Sequence, residues 1–467
     1  GAGTGALTAA VCARLLQHGR NLNIVVDAYE LDEEIIPGLS AVLSECRHDF
    51  DKNGHRFEFS IIHDDFILHK SASPFRTESF DKTGSRAQYD IVIANPPYFK
   101  LSKDSPQSLA MPELVSGQPN IYFLFMGLSA RLLNPNGQIV SITPRSFCSG
   151  SYYRKFRKWF LGQCVVRDIH MFESRKDIFE GDGILQENII LNAVKSNLRP
   201  KRIRITSCKD GTMQDTSEIA VEYADVIHDC RGESFIRIPT SPSDIEVIHT
   251  VDSWRCNLRS LDLEISTGPV VPFRVERYLL EDVNAAASAV PLLWMHNLVD
   301  MKVVWPSEKN GKPKAILDNK ETEYLLVPVK NYVLLKRFSS KEQKRRLYAS
   351  VLSATDFQYD KVGLENHLNY IYRPGGSLTL SEVTGLAAIL NTTLIDSYFR
   401  TLSGNTQVNA TEIRELPLPN WETIIEIGRN AQRSPTQVGK INVDSIVSGA
   451  LALGMRTATK SFGGIRD

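Results

Sequence analysis

Short apolar runs rich in β-branched residues alternate with helical patterns through the first third of the chain, and each run stops at polar residues. "NIVVDAY" (23–29) is followed by Glu30, "FEFSII" (57–62) by His63-Asp64-Asp65-Phe66, and "YDIVIA" (89–94) by Asn95-Pro96-Pro97-Tyr98. Buried strands separated by helices predict an α/β fold, a Rossmann-like doubly wound sheet with its ligands along the carboxyl edge of the strands. The chain opens with "GAGTG" ahead of a helical pattern over 6–17 that carries Leu7, Val11, Leu15 and Leu16 on one side. Glycines before a helix let a ligand approach the backbone, and the helix end offers free N–H groups. Gly1, Gly3 and Gly5 are therefore candidate ligand-binding positions; a plain helix-entry turn is the alternative.

Composition bounds what such a fold can serve. The 467 residues are 42% hydrophobic and 23% charged, which suits a chain of two or three domains. Lys+Arg and Asp+Glu both total 54, so any nucleic-acid surface must be a local patch. The seven Cys form no C-x-x-C pair and no ligand cluster with His, so free thiols, a cytoplasmic location and no metal are expected. No apolar run approaches the ~18–20 residues needed to span a bilayer, so no membrane partner is expected.

The strand ends carry the chemistry. An acidic residue after the strand that follows a glycine turn is placed to grip ribose hydroxyls, and Glu30 suits that task. Asp32 reads as a helix cap and Asp27 lies within its strand. After Ala94, prolines cannot continue a ladder and each holds the preceding residue extended. They present an asparagine, the Pro96 carbonyl and an aromatic ring on a stiff loop at a strand end.

In chain order, "GAGTG", "YELD", "DDF" and "NPPY" resemble motifs I to IV of AdoMet-dependent amino methyltransferases. More narrowly, the chain resembles the gamma-group adenine methyltransferases of bacterial restriction–modification systems, TaqI-like enzymes whose catalytic domain precedes a target-recognition domain. The likeness continues through 120–147 and 178–191 and returns over 387–419; between about Asn197 and Leu380 it is loose. It implies S-adenosyl-L-methionine as cofactor, bound by Gly1, Gly3, Gly5, Glu30, Leu31, Asp65 and Phe66. Asp65 would accept from the adenine amino group of the cofactor; Asp64 competes for that role, and a helix cap is the alternative. Leu31 and Phe66 would pack beside that ring. The implied catalytic set is Asn95, Pro96, Pro97, Tyr98 and Phe179, with Phe172 a rival to Phe179. The implied reaction is methyl transfer to the N6 amino group of adenine in a specific duplex sequence, with base flipping.

Beyond residue 197 the pattern changes to short β-like pieces, and a basic run, "KRFSSKEQKRR", supplies Lys336, Arg337, Lys344, Arg345 and Arg346 as candidate phosphate contacts. "YYRKFRKWF" (152–160) mixes aromatics with cations, and a solvated charged face is the alternative for each run. Asn405, Gln407 and Asn409 are candidates for reaching backbone or base edges. The expected organisation is a catalytic domain over 1–197, a DNA-recognition domain over 198–430 and a poorly ordered tail over 431–467, with double-stranded DNA held between the domains. A monomer working beside a separate cognate endonuclease is expected. Two rival readings stay open: a methyltransferase for a protein glutamine amide or RNA, and a DNA-binding module without catalysis. The resemblance also calls for a central strand feeding the first glycine turn and for an upstream segment at the methionine part of the cofactor. No residues before Gly1 can supply either. The chain is thus expected to be a fragment or to begin too late, binding AdoMet poorly and aggregating as written.

Overall fold

The computed structural model describes residues 1–18, 21–72, 89–172, 187–208, 215–230, 232–307, 311–339, 343–433 and 442–451. It forms two compact units, Gly1–Ser241 and Pro242–Asp467.

The first unit alternates strands and helices as expected. After the glycine turn come α1 (Ala6–His18), β1 (Asn23–Tyr29), α2 (Ile36–Lys52), β2 (Arg56–Ile62), α3 (Phe66–Ala72) and β3 (Tyr89–Ala94). They are followed by α4 (Pro106–Ala110), α5 (Ile121–Leu132), β4 (Leu133–Pro144), α6 (Arg154–Gln163), β5 (Val165–Phe172), β6 (Asn188–Val194), β7 (Arg202–Cys208) and β8 (Thr216–Glu222). β1 and β2 pair in parallel, and β3, β4, β6, β5, β7 and β8 lie in that order in a six-stranded sheet. β3 and β4 are parallel, whereas β6 runs antiparallel to both its neighbours. α1 and α2 cover β1 and β2 through an apolar cluster of Cys12, Ala28, Leu39, Leu43, Phe50 and Phe57. Burying a Leu or Phe stabilises by about 1.5–3 kcal/mol, so this cluster anchors the glycine turn against its sheet.

Among the described residues, β1 pairs only with β2 and β3 only with β4, leaving an open edge on each. The two edges face a cleft of about 490 Å³, walled by Val25 and Val26 on one side and Ile91 and Val92 on the other. Leu7 and Val11 of α1 and Phe125 and Leu132 of α5 also line it. Val25 is 66% exposed and Ile91 39%, unusual for β-branched residues in mid-strand. Tyr89 Oη donates to Asp27 Oδ2 at 2.5 Å and ties β3 to β1.

Two sequence expectations about boundaries are corrected. β7 and β8 add to the first sheet through β5, so the division falls after Ser241 rather than after residue 197. The polar turns between those strands look the same whether a strand joins the old sheet or starts a new one. The expected loose tail is also partly wrong: residues 443–451 are helical, and Val443, Val447 and Ala450 are buried in the second unit's core.

The second unit carries a six-stranded and a five-stranded sheet of short strands, followed by helices Leu380–Leu390, Thr393–Leu402 and Trp421–Arg433. The first and last of these helices cross at Gly385 and Gly428. A Cβ on Gly385 would lie 1.9 Å from the Ile424 carbonyl oxygen, and one on Gly428 1.9 Å from that of Ser381, so only glycine permits the approach. Among the described residues no helix is long and apolar enough to cross a membrane. None of their His, Cys, Asp and Glu side chains cluster in threes to hold a metal.

Candidate active site

The loop after β3 is pinned from three sides. Tyr98 Oη donates to Asn95 Oδ1 at 2.7 Å and lies 3.0 Å from the Ile142 carbonyl of β4. Asn120 Nδ2 donates to the Tyr98 carbonyl at 3.1 Å, and the Ile121 N–H donates to the Phe99 carbonyl at 3.0 Å. The Tyr98 ring meets the buried Tyr122 ring edge to face at 6.1 Å. Burial drives the Tyr98 phenol well above its ordinary range, so it stays protonated and remains a donor. Asn95 is exposed, Pro96 is buried, and Pro97 and Tyr98 are half-buried. The loop therefore holds Asn95 Oδ1, oriented by Tyr98, just beyond the end of the ladder, with Pro96 next in the chain.

Asn120 was not foreseen as a site residue. It caps α5 through the Tyr122 N–H while its amide holds the loop, and it is buried. Its signal was present: an Asn directly before an apolar helical run is a capping signature. Asn120→Ala should lower turnover by about tenfold, since about 1.4 kcal/mol, the scale of one hydrogen bond, is a factor of ten in rate. KM for the cofactor should stay unchanged; equal turnover in steady-state assays would remove Asn120 from the positioning set.

The glycine turn is built around Glu30. Gly3 and Gly5 adopt φ values of +58° and +89°, which glycine tolerates without cost. Glu30 Oε2 accepts from the Gly3 N–H at 2.7 Å, and Oε1 from the Leu31 and Asp32 N–H groups at 2.8 and 3.0 Å. Burial raises the Glu30 carboxyl, but the Asp32, Gly3 and Leu31 donors outweigh it, and the group sits below its ordinary range. A Cβ on Gly1 would fall 2.1 Å from Glu30 Oε2, so the carboxylate would have to shift to admit a side chain there. Glu30 thus shapes the turn in addition to lying at the strand end where it was expected.

Asp65 caps α3: its Oδ1 accepts from the Ile67 and Leu68 N–H groups at 2.8 and 3.0 Å. Its Oδ2 accepts from Gln107 Nε2 at 2.9 Å, so the cap and a second contact coexist. Asp64 binds His69 Nδ1 at 2.8 Å. The Phe66 ring packs against Tyr29 and Phe125 at 5.2 and 5.1 Å, and Leu31 is 63% exposed. Gly1, Ala2, Tyr29, Phe66, Ala94 and Pro96 line one continuous cleft, which brings the glycine turn and the loop after β3 together. Phe179 lies outside the described residues; Phe172, its rival, is buried at the end of β5 against His170.

Residues 30–179 match the Eco57I restriction-modification methylase family. Over 456 residues the chain is 34% identical to the type II methyltransferase M.PstI of Providencia stuartii, covering 97% of this chain and 87% of that protein. The type II methyltransferase M.BsuBI of Bacillus subtilis is 33% identical over 95% of this chain and 86% of its own. The chain belongs to the restriction–modification methylase family. A solved type IIL restriction-modification enzyme, MmeI in complex with DNA, shares the fold, with a TM-score of 0.56 and 11% identity. That match covers 94% of this chain and 63% of the MmeI chain.

S-Adenosyl-L-methionine is the cofactor of such a methylase. The residues fit it: Gly3 and Gly5 form a positive-φ turn held by Glu30 at the end of β1, and the aromatic Phe66 opens α3 beyond the end of β2.

The basic run of the second unit divides sharply. Arg346 is 1% exposed: its Nε donates to Ser339 Oγ at 3.1 Å, Nη1 to the Ser403 carbonyl at 3.2 Å and Nη2 to the Asn405 carbonyl. It knits the fold together and does not reach solvent, contrary to its expected role as a phosphate contact. Arg345 donates to the Asn391 carbonyl and pairs with Asp444 at 3.9 Å. Lys344 is exposed, and Lys336 lies over the Tyr348 ring at 4.9 Å. Asn409 stands at a helix N-terminus, its N–H donating to Glu412 Oε2 at 3.1 Å. Asn405 and Gln407 are half-buried on the loop beside Phe338. In α6, Arg157 is likewise 1% exposed, donating to the Ser234, Phe147 and Gly150 carbonyls at 2.6, 2.9 and 2.6 Å. Sequence shows where cations are dense; only packing shows which of them face inward.

Proposed function

We propose that this methylase transfers a methyl group to the N6 amino group of adenine in a specific duplex DNA sequence, flipping the base, within a restriction–modification system. The observation that carries this reading is Asn95 Oδ1, held at the strand end by the Tyr98 hydroxyl; the Pro96 carbonyl is the second acceptor in this reading. An exocyclic amino group is a poor nucleophile because its lone pair is delocalised into the ring. Two acceptors aimed at its N–H bonds favour the tetrahedral, positive nitrogen that develops during transfer. When bound, S-adenosyl-L-methionine supplies the electrophilic methyl group. Gly1, Gly3, Gly5, Glu30, Leu31, Asp65 and Phe66 are the residues we assign to holding it. Tyr98 stays protonated and orients Asn95, so no ionised base is required. Its ring stacks on the extruded base and offsets the few kcal/mol that unstacking costs. Lys336, Arg337, Lys344, Asn405 and Gln407 are proposed to contact DNA. A monomer acting in the cytoplasm beside a separate endonuclease completes the reading.

The length of the second unit and its basic residues favour DNA over a protein amide or RNA. Labelled S-adenosyl-L-methionine incubated with separate DNA, RNA and protein pools tests this directly. N6-methyladenine in digested duplex is expected, and label confined to RNA or protein would reject the reading.

The Tyr98–Asn95 hydrogen bond sets the order expected in a mutant series at Tyr98. Tyr98→Phe keeps the ring but frees Asn95, so turnover should fall by about tenfold, the worth of one hydrogen bond. Tyr98→Ala also removes stacking worth about 1–3 kcal/mol and should lose about 100-fold or more. Equal losses for Phe and Ala in single-turnover assays would give the whole effect to the hydroxyl.

A further inference from the structure

Three segments of the second unit meet at one corner. Residues 337–339 leave the strand Tyr332–Lys336, residues 365–367 turn between the strands Lys361–Leu364 and Leu368–Tyr372, and residues 404–408 form the third. The Arg337 N–H donates to the His367 carbonyl at 2.9 Å and Arg337 Nη1 to the Asn366 carbonyl at 3.0 Å. The Val408 N–H donates to the Arg337 carbonyl at 2.7 Å, and the Ser339 N–H to the Thr406 carbonyl at 3.0 Å. The Phe338 ring meets the His367 imidazole edge to face at 4.8 Å.

Beneath this corner Glu365 is 1% exposed. Its Oε2 accepts from the His367 N–H at 3.1 Å. Its Oε1 stands 2.7 Å from His367 Nδ1, within ion-pair reach but out of line for a hydrogen bond, and has no other partner among the described residues. The His367 side chain is 44% exposed, and Arg337 and Lys312 place positive charge near both groups. A buried carboxylate without full compensation costs several kcal/mol, so its retention under a half-exposed imidazole calls for a reason.

We propose that His367, seated on Glu365 and flanked by Arg337 and Lys312, is a proton-dependent contact for a phosphate of the duplex backbone. This rests on the reading that duplex DNA is the substrate. With Nδ1 turned toward Glu365, Nε2 is the nitrogen left for a ligand. A phosphate there needs an N–H donor, which His supplies from Nε2 while Nδ1–H faces the carboxylate only as the imidazolium. Binding therefore takes up a proton. Burial pushes the Glu365 carboxyl up to about 7, and burial with the Arg337 and Lys312 charges pushes His367 down. The two shifts run in opposite directions, and groups 2.7 Å apart titrate as a pair. The sign follows: affinity is greatest at low pH and is lost as pH rises through the imidazolium pKa in the complex.

The test is binding of the full chain to a short fluorescein-labelled duplex of random sequence, by anisotropy, at fixed salt. Between about pH 6 and about pH 8.5 the wild type should weaken by about tenfold, and His367→Gln by less than about twofold. Glu365→Gln, checked for an unchanged melting temperature, should flatten the profile in the same way. Unaltered pH dependence in His367→Gln, or pH-independent duplex binding by the wild type, overturns the proton-linked contact while the substrate reading stands. Binding of single-stranded RNA with no binding of duplex at any pH overturns the substrate reading and the contact with it.

Discussion

Asn95→Ala should slow methyl transfer by at least about 100-fold, the scale for removing one preorganised hydrogen-bond partner of a transition state. The loss should fall on kcat, because Asn95 is exposed at the loop end and no element rests on its side chain except through Tyr98 Oη. Cofactor affinity should be little changed, since the glycine turn is held by Glu30 and not by the loop after β3. Single-turnover assays with saturating S-adenosyl-L-methionine and duplex check this. Near-normal turnover would end the acceptor mechanism, and a matching collapse of cofactor binding would make Asn95 structural.

The open edges of β1 and β3 give the second large effect. An apolar, β-branched strand of six or seven residues, the lengths of β3 and β1, would pair with both edges and cover Val25 and Ile91. Burying each such side chain is worth about 1.5–3 kcal/mol before any ladder is counted. For a unit of this size each kcal/mol raises the melting temperature by about 2–4 °C, so fusing such a strand ahead of Gly1 should raise it by about 10 °C or more. Cofactor affinity should rise with it, because the added strand would run directly into Gly1 and hold the glycine turn in place. A fusion with the same residues in scrambled, charge-interrupted order is the control. Calorimetry showing equal melting for both fusions would mean that the cleft does not accept a strand.

Much of the site was legible locally. Strand ends at Glu30 and Asn95 follow from apolar runs broken by polar residues and prolines, and short-range patterns of that kind survive folding unchanged. The cap at Asp65 was weighed from sequence as an alternative, and it is present together with a contact from Gln107. What escaped were pairings across long separations, Tyr98 with Ile142 and Asn120 with Tyr98, and a local one, Glu365 with His367, in a turn of unremarked sequence.

The sequence by itself determined the order of the motifs, the α/β class and the place of the proline loop at the end of β3. These depend on residue type and on spacings of a few residues, which the backbone reads directly. Tertiary structure alone decided which charges serve the fold and which meet solvent. Arg157 and Arg346 sit in basic runs no different in composition from Lys155 and Lys344, yet the first two are buried and the others exposed. It also decided that β7 and β8 belong to the first unit. The reason is physical: a side chain's type sets the cost of burying it, but what surrounds it after burial is contributed by residues far away in the chain.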